Sequence, residues 1–156
     1  MEKQMDTATE TIETKINIDA VMESIPPVEV PIMAKVSAHR LHDVLCGALE
    51  GGSGYWACID SFNPAEGKTK ADYQFPHLDI IFDGGSITIS DCISEAEGCD
   101  PEFEPTKLTL EMLQKGLKIM AEKYDWHFKN IVNENDDAET SDVLLQCAVM
   151  GDITFG

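Results

Sequence analysis

Apolar side chains fall at helical spacing in three stretches of this chain and cluster in shorter runs between them. Leu41, Val44, Leu45, Ala48 and Leu49 share one face of a helix predicted to run from a capping Ser37 through Glu50. Gly51-Gly52 is expected to close it as a left-handed cap. Behind a capping Thr109, Leu110, Leu113, Leu117 and Met120 repeat at i, i+3, i+7 and i+10. Asp125–Val132 continues as a second piece, with Trp126, Phe128, Ile131 and Val132 as its apolar surface. Asp136, with Glu139 three residues on, has the form of a capping box, opening a helix over Glu139–Met150 that Gly151 ends.

The shorter runs read as strands. Val28–Val36 is β-branched and punctuated by proline, which suits an edge strand. Tyr55–Phe62 alternates as a strand should, and residues 63–74 form a polar loop. Leu78–Phe82 and Ser86–Ile89 flank Asp83-Gly84-Gly85, a hairpin signal. Residues 91–105 read as an acidic loop, and Ile153–Phe155 as a last strand. The expected class is α+β: a small antiparallel sheet packed with three to four helices. Residues 1–30 stand apart as an acidic, threonine-rich arm with no glycine or aromatic residue, expected to be mobile, with a short helix over Ile16–Met22. The remainder, 31–156, is expected to be a single domain.

Charge changes this picture more than composition does. The chain has 156 residues with 29 acidic against 11 basic side chains, a formal net charge of −18. Such a surface repels nucleic acid and anionic membranes and attracts basic partners over a Debye length of about 8 Å. No apolar run approaches the roughly 20 residues of a membrane span, and no apolar segment follows Met1 as a secretory signal would. Five cysteines, an odd number widely spread, read as reduced thiols in a cytoplasmic setting.

The motifs that invite chemistry do not complete it. The glycines of Leu49-Glu50-Gly51-Gly52-Ser53-Gly54 close a helix instead of opening one, and no Lys-Ser/Thr follows them, so a phosphate loop is not expected. His42 and Cys46 sit at i, i+4, with His39 nearby, but a zinc site needs about four ligands and no CxxC or HExxH supplies them. The oxygen-rich Asn133–Asp137 run lacks the glycine of a calcium loop. Carboxylate pairs occur without the spacing of a hydrolytic site. No catalytic residue, cofactor or metal is therefore assigned.

Two acidic clusters are more informative. Residues 91–104 hold six acids and no base, and residues 134–142 hold five acids. Nucleic-acid backbone carries one charge per about 1.7 Å of duplex, a density such clusters could imitate. The candidate protein-binding residues are Glu95, Glu97, Asp100, Glu102 and Glu104 in the first cluster, and Glu134, Asp136, Asp137 and Glu139 in the second. Glu50, Tyr55 and Trp56 are the expected anchor, since aromatic residues dominate interface hot spots.

Ala48-Leu49-Glu50-Gly51-Gly52-Ser53-Gly54-Tyr55-Trp56 resembles an Ala-Leu-Glu-Gly-Gly-Ser-x-Tyr-Trp element of small acidic proteins encoded by bacteriophages and prophages. Leu117–Phe128, Asn133–Gln146 and Gly151–Gly156 are similar to further elements of the same family, in the same order. The resemblance covers most of residues 36–156 and implies a phage origin and action in the bacterial cytoplasm. It brings no catalytic residue. Together with the charge it suggests a protein that inhibits a host nucleic-acid-binding or defence protein with a basic surface. Direct binding of nucleic acid or membrane is not expected, while self-association is left open. An alternative is a pocket, built in an oligomer, that sequesters a small nucleotide, with Tyr55 or Trp56 stacking on the base and the lysines near 115–129 meeting phosphate. A weaker alternative is a metal-dependent enzyme built from the carboxylates.

Overall fold

The computed structural model describes residues 17–28 and 33–156, and the chain divides into two units, Met1–Met33 and Ala34–Gly156. In the first unit a helix, α1, spans Ile18–Ser24; Asn17 caps it by accepting a hydrogen bond from the Ala20 N–H (3.2 Å), and it has no buried residue. It lies two residues later than the expected short helix, whose Ile16 falls outside the described residues. Of the expected edge strand Val28–Val36, residues 29–32 are also outside them, and Val28 and Met33–Val36 form no strand. Pro31 lacks the N–H that a ladder requires.

The second unit is α+β. Ser37 caps α2, Ala38–Gly47, with its hydroxyl accepting from the Arg40 N–H (3.1 Å). The helix then widens into a single π turn, Ala48–Gly52, before β1, Ala57–Asn63. Helix α3, Pro76–Phe82, leads into β2, Ser86–Asp91, and α4, Cys92–Glu97, follows at once. After β3, Thr106–Leu108, come α5, Leu110–Lys123, α6, Asp125–Val132, and α7, Ala138–Met150. The sheet has the order β1-β2-β3, antiparallel throughout. Its register sets Ile59 opposite Ile89 and Ile87 opposite Leu108, and a bulge at Asp60 displaces the pairing of β1.

Two segments correct the sequence reading. Leu78–Phe82 is helical, so the hairpin does not form. Pro76 at the first helical position favours that start, the Asp79 carboxylate accepts from the Phe75 N–H (2.8 Å), and Gly84 at φ 91° turns the chain into β2. The acidic segment 91–105 is no plain loop: Asp91 caps α4, and Gly98 ends it in the left-handed conformation. These two helices raise the number above the three to four expected. The predicted strand Ile153–Phe155 does not form, and these residues are unpaired with the sheet.

The core joins both layers. Ile87 and Ile89 from the sheet meet Leu113, Met120, Ile131 and the α7 residues Val143, Leu144 and Leu145. Helix α7 is buried continuously from Thr140 to Ala148, polar residues included, because α2, the π turn, α5, α6 and β3 all pack on it. At Gly116 of α5 a Cβ would lie 2.6 Å from the Ala148 backbone nitrogen, so this glycine is what allows the two helices so close. A disulfide joins Cys58 of β1 to Cys92 of α4, with Cα atoms 5.7 Å apart. This corrects the reading of all five cysteines as reduced; Cys46, Cys99 and Cys147 are free. No helix among the described residues is long and apolar enough to cross a membrane.

Candidate functional site

A cleft of about 770 Å³ is lined by the Gly51-Gly52 turn, Tyr55, His127, the first turns of α7 and the terminal residues Ile153–Gly156. Residues from 51–55, 127, 138–146 and 153–156, far apart along the chain, therefore meet around one hollow. Local geometry explains how. The π turn closes through the Ser53 N–H, which donates to the Ala48 carbonyl (2.8 Å). At Gly52 a Cβ would stand 2.3 Å from the Ala138 carbonyl oxygen, so only glycine lets the turn seat against the start of α7. Neither Gly51 nor Gly52 has a positive φ, so the expected left-handed cap is replaced by this close approach.

The floor of the cleft is organised by one carboxylate. Asp142 is 7% exposed. Its Oδ1 accepts from the Ser53 hydroxyl (2.6 Å) and the Trp56 indole N–H (2.7 Å). Its Oδ2 accepts from the Tyr55 hydroxyl (2.9 Å) and the Gln146 amide (2.8 Å). Four donors fill its acceptor sites, and all four are neutral. Burial, with the hydrogen bond to Asp142 and its charge behind it, pushes the Tyr55 phenol up to about 12. Gln146 holds the chain terminus in turn: its Oε1 accepts from the Thr154 and Phe155 N–H groups (2.8 Å each), and its amide also donates to the Phe155 carbonyl (3.0 Å). At the rim, His127 Nδ1 lies 3.1 Å from the Thr140 hydroxyl, and the Trp126 ring stands edge-on to the imidazole at 4.8 Å.

The sequence-predicted residues divide sharply. Trp56 is 0% exposed; it stacks on Phe155 at 5.1 Å and meets Phe103 edge-on at 5.8 Å. It is core, which corrects its assignment as an anchor. Tyr55 keeps 45% of its surface exposed on the cleft wall. Glu50 is exposed on the π turn, 2.8 Å from His77 Nε2, whose hydrogen bond holds its carboxyl below the usual range.

In the second acidic cluster, Asp136 pairs with Arg40 and is largely withdrawn from solvent. Asp137, not Asp136, is the N-cap of α7, accepting from the Thr140 N–H (2.8 Å). That bond from the Thr140 backbone, reinforced by its hydroxyl, lowers the Asp137 carboxyl. Both residues therefore have structural work; Asp136 is paired and largely withdrawn, which corrects its reading as a docking group, while Asp137 stays exposed. Glu134 and Glu139 are exposed, and Glu139 lines the cleft.

In the first cluster Asp91 turns inward. Burial opposes its ionisation, but bonds from the Ser94 side chain and backbone and from the Glu102 N–H (2.9 Å) hold it low. Glu95, Glu97, Asp100, Glu102 and Glu104 are all exposed. Of the residues the nucleotide-pocket reading names, Tyr55 lines the cleft of the single chain. Trp56 is buried, and Lys115, Lys118, Lys123 and Lys129 do not line the cleft. Among the described residues no group of three His, Cys, Asp or Glu side chains is placed to hold a metal ion.

Sequence reasoning missed Asp142, Gln146 and His127 as site residues. The aspartate is 86 to 89 positions from its Ser53, Tyr55 and Trp56 partners, so no local pattern could join them. It missed the exposure of Trp126 as well, 61%. Comparison of the chain with protein-family models, with curated proteins and with solved structures gave no match.

Proposed function

We propose that this chain is a non-enzymatic, phage-encoded binding protein that inhibits a host nucleic-acid-binding or defence protein by presenting an acidic face to its basic surface. One observation carries the reading. Glu95, Glu97, Asp100, Glu102 and Glu104 lie exposed on one short excursion, and none enters an ion pair among the described residues. Surface carboxylates with no role in the fold are free to act on another molecule.

The excursion is held in shape. The Cys58–Cys92 disulfide ties its start to β1, Asp91 bonds the Glu102 N–H, Phe103 meets Trp56, and β3 returns the chain to the sheet. A fixed array loses less conformational entropy on binding than a flexible one does. Complementary charge of this kind speeds association and makes it salt-sensitive.

The test is capture of partners from bacterial host lysate at low and high salt, with a variant in which the five residues are neutralised (E95Q, E97Q, D100N, E102Q, E104Q). A basic nucleic-acid enzyme retained at low salt, lost at high salt and lost with the variant supports the reading. Equal capture by the variant sinks it.

A further inference from the structure

We infer that the cleft beside Tyr55 is a receptor for a single cationic side chain, the guanidinium of an arginine in a basic protein segment. The inference rests on the reading that the partner is basic, but it uses a different part of the surface.

Charge points to a cation first. Asp142 sits in the cleft floor with four neutral hydrogen-bond partners and no cationic one, so its negative charge is solvated locally but not neutralised. Glu139 adds a second, exposed carboxylate on the same wall. Among the residues that line the cleft there is no lysine or arginine, and the one ionisable base, His127, is engaged by Thr140 through Nδ1. A phosphate or carboxylate ligand would face two like charges here. The start of α7 does not offset them, since Asp137 already occupies the Thr140 N–H.

The walls suit an arginine. The half-exposed ring of Tyr55 offers a face on which a planar guanidinium can stack. Val143, Ile153 and Phe155 give apolar surface for the methylene stem. The acceptor sites of Asp142 are already filled, so it acts through its field, and Glu139 is the group left to accept the guanidinium hydrogen bonds. At about 770 Å³ the hollow is larger than one side chain and leaves room for flanking backbone.

The experiment titrates the full chain, labelled with ¹⁵N, with acetyl-Gly-Arg-Gly-amide and with the same peptide carrying citrulline, the neutral isostere. The expected result is that the arginine peptide shifts the amides of Gly51, Tyr55, Glu139 and Ile153, while the citrulline peptide leaves them in place. Glu139→Gln is expected to weaken the arginine peptide by on the order of tenfold without changing the unfolding midpoint beyond a small shift, as loss of one partner of a charge-assisted pair does. Equal response to both peptides, or shifts confined to residues 95–104, would overturn the cleft as a cation receptor. Equal capture of the partner by the five-fold variant, with the arginine peptide still entering the cleft, would overturn the acidic-face reading and leave this one standing.

Discussion

The two acidic clusters look alike along the chain, but once folded they differ in how many of their carboxylates the fold engages. Around 134–142 three of the five carboxylates are engaged, while Glu134 and Glu139 stay exposed: Asp136 holds Arg40, Asp137 caps a helix, and Asp142 gathers four donors beneath the cleft. Around 95–104 they face water and hold nothing. A run of acids is therefore not a unit of function. What separates the two clusters is whether a donor has been folded to within reach of each carboxylate.

The most severe way to probe that contrast is Asp142→Ala. It removes a charged acceptor from four donors at once, the Trp56 indole among them, and should cost about 3 kcal/mol or more in urea unfolding. A loss below about 1 kcal/mol, the typical value for a point substitution, would deny the carboxylate its organising role. Reduction of the Cys58–Cys92 disulfide comes next, at about 2–4 kcal/mol. Mass spectrometry after thiol labelling should count three reactive cysteines before reduction, under denaturing conditions, and five after it, in keeping with the free Cys46, Cys99 and Cys147.

Asp137 gives a smaller effect with a definite pH signature. Its carboxyl titrates lower in the folded chain than its ordinary value of 3.8. Its stabilisation is therefore complete above that value and disappears as pH falls through the depressed folded value. Asp137→Ala should cost about 1 kcal/mol at neutral pH and flatten the acid limb of the stability curve. Tyr55 supplies the alkaline counterpart: with its phenol raised to about 12, its contribution persists below the ordinary value of 10 and is lost as pH rises through 12. Ultraviolet titration should show it as a late-ionising tyrosine. Last, neutralising Glu97 or Glu102 singly should change stability by no more than about 0.5 kcal/mol, while the five-fold variant abolishes salt-sensitive capture.

Much of the fold was legible because helix ends carry local chemistry. Ser37, Thr109 and Gly151 marked their termini correctly, and Asp125–Val132 has the bounds read from its sequence. Leu78–Phe82 was misread because an apolar run of that length fits a strand or a buried helix equally. Pro76 was the available signal. Strand β3 was missed since Thr106–Leu108 is short and is defined by its pairing with Ile87–Ile89. At the site, Tyr55 and Glu139 were legible as surface candidates. Trp56 was not legible as core, because the groups that cover it, Phe103, Phe155 and Asp142, come from distant parts of the chain.

The separate environments of the two tryptophans give the molecule a pair of distinct optical reporters. Trp56, enclosed and bonded to a carboxylate, should emit toward the blue and resist acrylamide until the domain unfolds. Trp126, in water against the His127 ring, should emit toward the red and be quenched readily. A molecule entering the cleft would meet Asp142 and Phe155, both in contact with Trp56, so the first signal reports occupancy as well as unfolding and the second gives an exposed reference in the same cuvette.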